Sequence, residues 1–382
     1  MNVIPVAIAI ELDHGYPWHQ DCYAGIMRYG KEVGWKCIVD PHMVGMLDSS
    51  KLTTYKGIVG RISNPWHDAA LQNAIPMVNI WSNSPVKDVP SVFSNYSTVA
   101  TLALNHLMDS GFNNITYVHA EGDIASEIAK DTVNAAVKGK SSTHISSIAI
   151  PREFEAKPET MIQFRNIVAS CLANADKPTG IIASQVTAAR YVTQICYEMD
   201  IAVPGDIGII TLQDTYHMTE SAEPCITSVE HDFFSVGYKA AASLHRIMTR
   251  QTVDDVQYIN PRYVIERDTT NIFHCKDPLV TRAVHYIKEN IKDNIDCEDV
   301  AGYLRVSSRT AHRYFQKYFD KSVPDVIAQH RIDALKKELL TTSKSLLTIS
   351  QDFNFSSSTQ MARFFYKFFG QNPSEFRKEH PD

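Results

Sequence analysis

The hydrophobic pattern along the chain changes character once, near residue 270. Before that point, short apolar runs alternate with stretches whose apolar residues recur every three to four positions. Runs of the first kind predict buried strands, and stretches of the second kind predict amphipathic helices. The predicted strands are Val6–Ile10, Lys36–Val39, Gly57–Val59, Pro76–Ile80, Ile115–His119, Gly180–Ala183 and Ile207–Leu212, and the predicted helices include about 20–33, 159–173 and 188–199.

This alternation predicts an α/β fold with doubly wound parallel sheets, in which ligands bind at the carboxyl ends of the strands. The elements fall into two blocks, near residues 5–110 and 112–228, so we expect two lobes with a cleft between them. The expected boundaries are a sensor of residues 1–270, its lobes formed by about 1–111 with 229–250 and by 112–228 with 256–268, a linker over 271–276, and an all-α domain over 277–382.

Beyond residue 277 an internal repeat replaces the strand pattern. The segment Ser307–Phe319 (SSRTAHRYFQKYF) aligns with Ser357–Phe369 (SSTQMARFFYKFF) after a shift of 50 residues, and the offset upstream is 49. Each copy predicts a helix, a short turn and a second helix. In the first copy the helices are predicted at 297–304 and 308–319. A further helix over 324–340, roughly 24 Å long at about 1.5 Å per residue, connects the copies.

Helical spacing divides the second helix of each copy into two faces. The apolar residues expected to point inward are Tyr314, Phe315, Tyr318 and Phe319 in the first copy, and Phe364, Phe365, Phe368 and Phe369 in the second. The residues left on the outer faces are Arg309, His312, Arg313 and Gln316, and then Ser356, Thr359, Gln360, Arg363 and Lys367. Such a face suits the DNA major groove, where these side chains reach base edges and phosphates. An ordinary solvated helix surface is the alternative for either copy alone, but two copies in register favour DNA reading.

Charge supports this division of the chain. The formal net charge is −6, which on its own argues against nucleic-acid binding. However, residues 271–382 contain 17 Lys and Arg against 14 Asp and Glu, whereas residues 1–270 contain 20 against 29. The average therefore hides an acidic sensor of −9 and a basic helical domain of +3.

Cysteines and targeting signals indicate the compartment. The seven cysteines are scattered without a CxxC pair, which predicts neither a disulfide framework nor a zinc site. The first apolar run lacks a basic flank and a cleavage site, and no run of 18 apolar residues occurs. We expect a reduced, cytoplasmic protein.

Motifs for cofactor chemistry are missing from the sequence. No GxGxxG, GxxxxGK[ST], GxSxG or HExxH pattern occurs, so no dinucleotide, nucleotide, hydrolase or zinc-protease site is indicated. His14 and His19, with Asp13, Asp21 and Cys22, form a conceivable metal site, but solvent-exposed loop residues are the favoured interpretation. We expect no metal, no cofactor and no catalysis.

The helical region resembles the DNA-binding domain of AraC-type transcriptional regulators. The resemblance rests on RYFQKYF, on RIDAL from Arg331, on SLLTIS from Ser345 and on GQNPSEFR from Gly370. It departs at Asn354, where the family has Gly, and at Ser350, where it has Ala. The resemblance implies base-reading roles for Arg309, His312, Arg313, Ser358, Thr359, Gln360 and Arg363.

The first 270 residues are similar to the sugar-sensing core of LacI-type repressors, which is related to periplasmic sugar-binding proteins. The matching stretches include LNHLMDSGFNN from Leu104, IAVPGDIGII from Ile201 and VGYKAA from Val236. The resemblance implies ligand contacts from His14, Tyr16, Trp18, Arg61, Asn95, Ser126, Lys130, Gln185, Gln213 and Asp214. Val186 and Gln213 stand where the family usually has aspartates, so the hydrogen bonds offered to sugar hydroxyls differ.

Together the two resemblances imply a regulator that binds double-stranded DNA at a promoter or operator. We expect an activator of a carbohydrate (xylose-like or other sugar) catabolic operon, controlled by a small sugar effector between the lobes. A homodimer that contacts RNA polymerase and no membrane is expected. The alternative is a sugar-binding protein without a role on DNA.

Overall fold

The computed structural model describes residues 4–10, 17–39, 54–138, 144–151, 157–271, 278–319, 321–342 and 344–379. The chain divides into two compact units: Met1–Met199 with Gly208–Arg267, and Asp200–Ile207 with Asp268–Asp382. The predicted fold class is confirmed, because two α/β lobes are followed by an all-α region. Most of the predicted linker, 272–276, lies outside the described residues, so the boundary near 270 stays a prediction.

The sheet of the first lobe has six parallel strands, which place their carboxyl ends at one edge. They are β1 (Ile4–Ala9), β2 (Trp35–Val39), β3 (Gly57–Gly60), β4 (Met77–Asn79), β5 (Ser91–Ser94) and β11 (Val256–Ile259), in the spatial order β11-β5-β4-β3-β1-β2. Helices α1 (Pro17–Val33) and α8 (Phe233–Met248) cover one face, and α2 (Asn64–Gln72) covers the other. Successive strand residues alternate between these two cores.

The second lobe repeats the arrangement. Its strands are β6 (Asn114–Ala120), β7 (His144–Ile150), β8 (Thr179–Ala183), β9 (Ile207–Thr211), β10 (Thr227–Glu230) and β12 (Tyr263–Ile265), in the spatial order β12-β10-β9-β8-β6-β7. All run parallel except β12, which is antiparallel to β10. Its helices are α3 (Tyr96–Asp109), α4 (Ile124–Val137), α5 (Pro158–Ala173), α6 (Val186–Glu198) and α7 (Tyr216–Glu220).

The chain passes between the lobes three times, and this corrects the predicted lobe boundaries. The crossings lie at Asn95, at residues 231–232 and at residues 260–262. Helix α3, predicted in the first lobe, packs in the second because its Val99, Ala103 and Leu107 join the core of that sheet. Strand β11, predicted in the second lobe, pairs with β5 in the first.

The helical unit contains the two predicted helix-turn-helix copies. Its helices are α9 (Pro278–Glu289), α10 (Cys297–Leu304), α11 (Ser308–Phe319), α12 (Val323–Thr341), α13 (Leu346–Asp352), α14 (Ser358–Phe369) and α15 (Pro373–Glu379). The first copy is α10 with α11, the second is α13 with α14, and α12 connects them. Helices α11 and α14, called the first and second reading helices below, begin 50 residues apart, as the repeat predicts. Among the described residues, every helix is too short or too polar to cross a membrane.

The buried stripe of each reading helix is narrower than the sequence predicts. Ala311, Phe315 and Phe319 face the core of the first copy, and Met361 and Phe365 are the matching buried residues of the second. Tyr318 and Phe368, both predicted to point inward, are 36% and 37% exposed. A helix turns by about 100° per residue, so the neighbour of a buried residue leaves the stripe.

Two glycines allow α1 and α8 to approach each other closely in the first lobe. A methyl group built on Gly237 would lie 1.9 Å from the backbone oxygen of Cys22, and one built on Gly25 would lie 2.0 Å from that of Phe234. Backbone atoms cannot yield as a flexible side chain does. We therefore expect Gly237→Ala to lower the free energy of unfolding by about 1–3 kcal/mol in thermal or urea unfolding.

Gly302→Ala is the matched control for this substitution. Gly302 is an exposed position within α10, and no atom lies within 4 Å of the added methyl group. Because alanine favours helix more than glycine does, this control should be neutral or stabilising by up to about 1 kcal/mol. Equal melting of Gly237→Ala and the wild type would refute the close packing of α1 on α8.

Candidate nucleic-acid interface and ligand cleft

The first reading helix presents the predicted cationic face to solvent. Arg309, His312 and Arg313 are exposed, whereas Ala311 and Phe315 of the same helix are buried. Among the described residues, none of the three forms an ion pair or hydrogen bond through its side chain. The helix begins at Ser307, whose hydroxyl accepts a hydrogen bond from the Thr310 N–H at 3.1 Å. The face can therefore meet an external anion or base edge without first breaking a contact in the protein.

The second reading helix places its predicted residues on the same relative face, with one difference. Thr359, Gln360 and Arg363 are exposed, whereas Ser358 is half-buried. The carbonyl of the Gln360 side chain accepts hydrogen bonds from the backbone N–H and the hydroxyl of Ser356, at 2.9 and 2.8 Å. Gln360 therefore orders the start of the helix with its oxygen and turns its amide NH₂ to the outside.

The turns of the two copies share a left-handed residue. Arg305 has φ 57° and Asn354 has φ 52°. Asparagine tolerates this conformation because its side chain is short and polar, whereas nothing in the sequence marks Arg305. Ser350, which departs from the family pattern, is buried, and its hydroxyl donates to the Leu347 backbone oxygen at 2.7 Å. The extra hydroxyl is thereby satisfied and the packing is kept.

The predicted ligand contacts that follow the first and third strands are His14, Tyr16, Trp18 and Arg61, and two of them, His14 and Tyr16, lie outside the described residues. Trp18 is half-buried, with its ring 4.0 Å from that of His19 and 5.7 Å from that of Phe233. Arg61 follows β3, and its guanidinium lies 4.5 Å from the centre of the Trp81 ring. Trp81 was not predicted, and it adds an aromatic surface at the carboxyl edge of this sheet.

Ser126 and Lys130 lie one turn apart on α4 in the second lobe. The buried Ser126 hydroxyl accepts a hydrogen bond from the Ala120 N–H at 3.1 Å, so it supports the loop after β6. Lys130 forms an ion pair with Glu127, and this hydrogen bond holds the pKa of Glu127 below its ordinary value. Glu127 also lies 3.3 Å from His119. Lys130 therefore belongs to a local charge network.

Asn95 lies at the first crossing between the lobes. Its side-chain oxygen accepts from the Thr98 N–H at 3.2 Å, which caps α3, and its amide donates to Asn260 at 3.0 Å. Asn260 lies at the third crossing, so the bond ties two crossings together. The observed contacts of Asn95 are structural, and a ligand contact from it stays a prediction.

The remaining predicted residues follow strands β8 and β9. Gln185 is half-buried at the start of α6 and makes no capping bond through its side chain, and Gln213 is exposed. Val186 is buried within the core face of α6. Asp214 is held in place: it accepts hydrogen bonds from Thr219 at 3.0 Å and from Ser228 at 2.6 Å. Gln185 and Gln213 thus differ from Asp214, Ser126 and Lys130, whose side chains are bonded within the lobe.

A buried arginine completes the environment of Asp214. Arg267 lies 3.1 Å from Asp214 and 2.6 Å from Glu220, and it also donates to the Ile226 backbone oxygen at 2.9 Å. A carboxylate with this many partners stabilises its own lobe. The pairing was not predicted, because Arg267 lies 53 positions from Asp214 in the sequence.

His231, at the second crossing, was also missed by the sequence analysis. Burial lowers its pKa to about 4, so the ring is neutral near pH 7. Its Nε2 donates to the Leu212 backbone oxygen at 2.6 Å, which leaves Nδ1 to accept from the Ser94 hydroxyl at 2.8 Å. Ser94 ends a strand of the first lobe and Leu212 follows a strand of the second. The imidazole therefore links the two lobes at their crossing.

Asn83 forms a second polar bridge between the lobes. It lies after β4 in the first lobe, where its side-chain oxygen accepts from the Ile124 N–H at 2.8 Å and its amide donates to Asp123 at 2.8 Å. Asp123 is the N-cap of α4 in the second lobe. Asn83 thus supplies one of the hydrogen bonds that the start of α4 lacks. No sequence signal identifies it.

The conceivable metal site near the first strand is only partly described. His19 is buried on α1, and His14 and Asp13 lie outside the described residues. Within the described part of the chain, no three His, Cys, Asp or Glu side chains are grouped as metal ligands.

Comparisons with known proteins match both parts of the chain. Residues 300–379 match the family described as a helix-turn-helix domain, and residues 104–270 match the periplasmic binding protein-like domain. The xylose operon regulatory protein of Haemophilus influenzae is 22% identical over 378 residues, which cover 97% of each chain. The protein of the same name from Escherichia coli K12 is 22% identical over 90% of this chain and 89% of its own.

Solved structures show the same folds. The xylose-binding transcription activator xylR has a TM-score of 0.61 at 20% identity, covering 99% of this chain and 98% of its own. A probable maltose operon transcriptional repressor malR from Staphylococcus has a TM-score of 0.58 at 14% identity, covering 71% of this chain and 99% of its own. At these identities the likeness establishes the fold.

Glu230, beside the second crossing, makes the stability of the sensor depend on pH. Burial is the main reason that its pKa rises from 4.5 to about 7, with a smaller contribution from Asp214. The folded protein therefore keeps this proton at pH values where the unfolded chain has lost it. Protonated Glu230 therefore contributes to the free energy of unfolding. This contribution is full below about pH 4.5 and is lost as the pH rises through 7.

We expect Glu230→Gln to remove this loss. Between pH 4.5 and 7 the wild type should lose up to about 3 kcal/mol of unfolding free energy relative to the variant, as measured by urea unfolding at a series of pH values. Glu198→Gln is the control, because Glu198 is exposed and Arg165 lowers its pKa. It should follow the wild type above pH 5. Parallel curves for the wild type and Glu230→Gln would contradict the assignment.

Proposed function

Because this chain joins a periplasmic binding protein-like domain to an AraC-type helix-turn-helix domain, we propose that it is a sequence-specific, DNA-binding transcriptional regulator controlled by a small sugar. One observation carries the proposal. Two reading helices with buried aromatic cores have outer faces of Arg, His, Thr and Gln, and the three arginine and histidine side chains of the first are unpaired among the described residues.

The two reading helices enter successive major grooves of one DNA site. Arg309, Arg313 and Arg363 contact guanine edges or phosphates, and the Gln360 amide donates to acceptors in the groove. The helical domain has a net charge of only +3. Discrimination by these placed groups therefore contributes more than bulk attraction to phosphate, and the acidic sensor stands away from the duplex.

The effector is a small neutral sugar bound between the lobes of the sensor. Gln185 and Gln213 each offer a donor and an acceptor to its hydroxyls. Val186 and Gln213 stand where LacI-type repressors usually have aspartates, so these two positions offer no carboxylate to the sugar. Three of the similar proteins described above carry xylose in their names, so xylose is the first compound to test. The altered hydrogen-bond set extends the test to other pentoses, hexoses and deoxysugars.

Sugar binding controls transcription by shifting the relative orientation of the lobes. A ligand shifts such an equilibrium only through its different affinity for the two arrangements. Asn83 and His231 join the two lobes through hydrogen bonds. The bound sugar either competes with these hydrogen bonds or reinforces them. The regulator acts as a homodimer, placing up to four reading helices on DNA, and activates through RNA polymerase.

The rival function is sugar binding without any role on DNA. A salt titration separates the two. A DNA-binding protein loses affinity for a promoter fragment steeply as salt rises, because counterions return to the phosphates. A sugar-binding protein shows no affinity to lose.

We expect Arg313→Ala and Arg363→Ala each to weaken specific DNA binding by about 1–3 kcal/mol, because each removes a charged donor from a reading face. Fluorescence anisotropy with labelled DNA measures the loss, and circular dichroism checks the fold. Arg190→Ala removes an equally exposed arginine from the sensor and should bind as the wild type does. If both reading-helix variants keep wild-type affinity, the DNA assignment is wrong.

The effector should raise the melting temperature of the full chain. A ligand at a hundred times its dissociation constant adds about 2.7 kcal/mol of stability. Thermal-shift measurements with a panel of pentoses, hexoses and deoxysugars identify it. Gln185→Ala and Gln213→Ala should reduce the shift, whereas Gln251→Ala, an exposed glutamine outside the cleft, should not. The proposal fails if no sugar changes either the melting temperature or the affinity for DNA.

A further inference from the structure

A buried arginine connects the segment that leads into the first helix-turn-helix copy to the turn of the second copy. Arg331 lies in the connecting helix α12 and is 9% exposed. Its Nη1 donates to the Asp293 backbone oxygen at 3.2 Å, and its Nη2 donates to the Asn294 side chain at 3.0 Å and to the Phe353 backbone oxygen. Asp293 and Asn294 precede the first helix of the first copy, and Phe353 follows the first helix of the second.

Asparagine side chains add a second layer of contacts between the same segments. Asn294 donates to the Asn354 backbone oxygen at 3.1 Å, and Asn354 donates to the Asp293 carboxylate at 3.2 Å. The Arg331 guanidinium also lies 4.5 Å from the centre of the Phe355 ring. We call Asp293, Asn294, Arg331, Phe353 and Asn354 the inter-copy cluster.

The inter-copy cluster lies next to the reading surface. A cavity lined by Asn294, Arg331 and Asn354 is also lined by Ser356 and Gln360, which order the start of the second reading helix. The turn residue Asn354 is therefore bonded to the segment that leads into the first copy, and it lies four positions before the second reading helix. The cluster is therefore placed where a change in its contacts can affect the position of the second reading helix.

The chemistry of the cluster differs from that of the cores around it. Helix α12 packs on the first copy through Val326 and Ile327, and its later residues Leu335 and Leu339 are also buried. Apolar contacts are non-directional and tolerate small rotations. A planar guanidinium with three acceptors allows only a narrow range of geometry. Burying a charge adds little net stability, and the better-attested role of such a group is to select one arrangement.

We propose that Arg331 is the positioning residue that sets the separation and rotation of the two reading helices, and thereby the spacing of the half-sites that the chain accepts. This inference rests on the proposed DNA-binding function. Inserting one base pair between half-sites rotates one of them by about a tenth of a turn and moves it along the axis. A rigid pair of reading helices cannot follow both changes, whereas a loosened pair can.

The test compares spacing discrimination with stability. The DNA probe is a duplex selected by the full-length wild type from a randomised library, together with versions carrying one inserted or one deleted base pair between the two contacted halves. The wild type should lose at least about tenfold in affinity on either change. Arg331→Met should bind the selected duplex more weakly and lose less than about threefold on the altered ones.

Arg377→Met is the matched control. Arg377 also donates to backbone oxygens, those of Leu339 and Lys344 at 3.2 and 2.7 Å, but it joins α15 to the end of α12 and not to the first copy. We call the affinity for the selected duplex divided by that for an altered duplex the spacing ratio. Arg377→Met should lose stability and keep the wild-type spacing ratio. A role of Arg331 in stability alone would make the two variants behave alike.

Asn354→Gly keeps the test decisive if Arg331→Met does not fold. Glycine retains the left-handed turn and removes only the bond to Asp293, so the spacing ratio should fall between those of the wild type and Arg331→Met. A full wild-type ratio in Arg331→Met, or in Asn354→Gly when the first does not fold, overturns the inference and leaves the DNA-binding function standing. Failure of the wild type to select any DNA overturns the proposed function itself, and the inference with it.

Discussion

A polar group removed from water needs a hydrogen-bond partner. This requirement determines the contacts between the two lobes and those between the segment before the first helix-turn-helix copy and the turn of the second. At the second crossing, the neutral His231 ring joins Ser94 of one lobe to the Leu212 carbonyl of the other. In the helical unit, Arg331 joins a carbonyl group of the segment before the first helix-turn-helix copy to one in the turn of the second copy. Apolar packing stabilises each lobe and each copy, and these few directional contacts decide how the parts of a unit are arranged.

The contacts between the two lobes are suited to a small change in the relative orientation of the lobes. Three crossings connect the lobes, and Asn83 adds a bond from the first lobe to the N-terminus of α4 in the second. Each such bond contributes only about 1 kcal/mol. The hydrogen bonds that oppose a change of orientation are therefore weak. A sugar of moderate affinity that binds one orientation more tightly can outweigh them and favour that orientation.

Each reading helix packs in its copy through buried residues and exposes other residues on its outer face. Phe315 and Phe365 are buried and hold the reading helices in their copies, whereas the arginines to which we assign recognition are exposed. Some predicted readers have a second role, since Gln360 uses its oxygen to order the start of its own helix. The modest positive charge of this unit implies that affinity depends on geometry, and geometry is what the contacts of Arg331 control.

Local signals in the sequence, hydrophobic periodicity and capping residues, predict the fold class, seven of the twelve described strands, the 50-residue repeat and the helices of both copies. They do not identify the short or edge strands β5, β7, β10, β11 and β12. They also placed α3 and the residues of β11 in the wrong lobes and turned Tyr318 and Phe368 inward, since neither lobe membership nor the width of a buried stripe is local. The partners of Asp214, Asn95 and His231, and the roles of Asn83 and Arg331, appeared only in the tertiary structure. Those contacts join residues far apart in sequence, and a polar side chain does not show which distant group it will bond until the chain has folded.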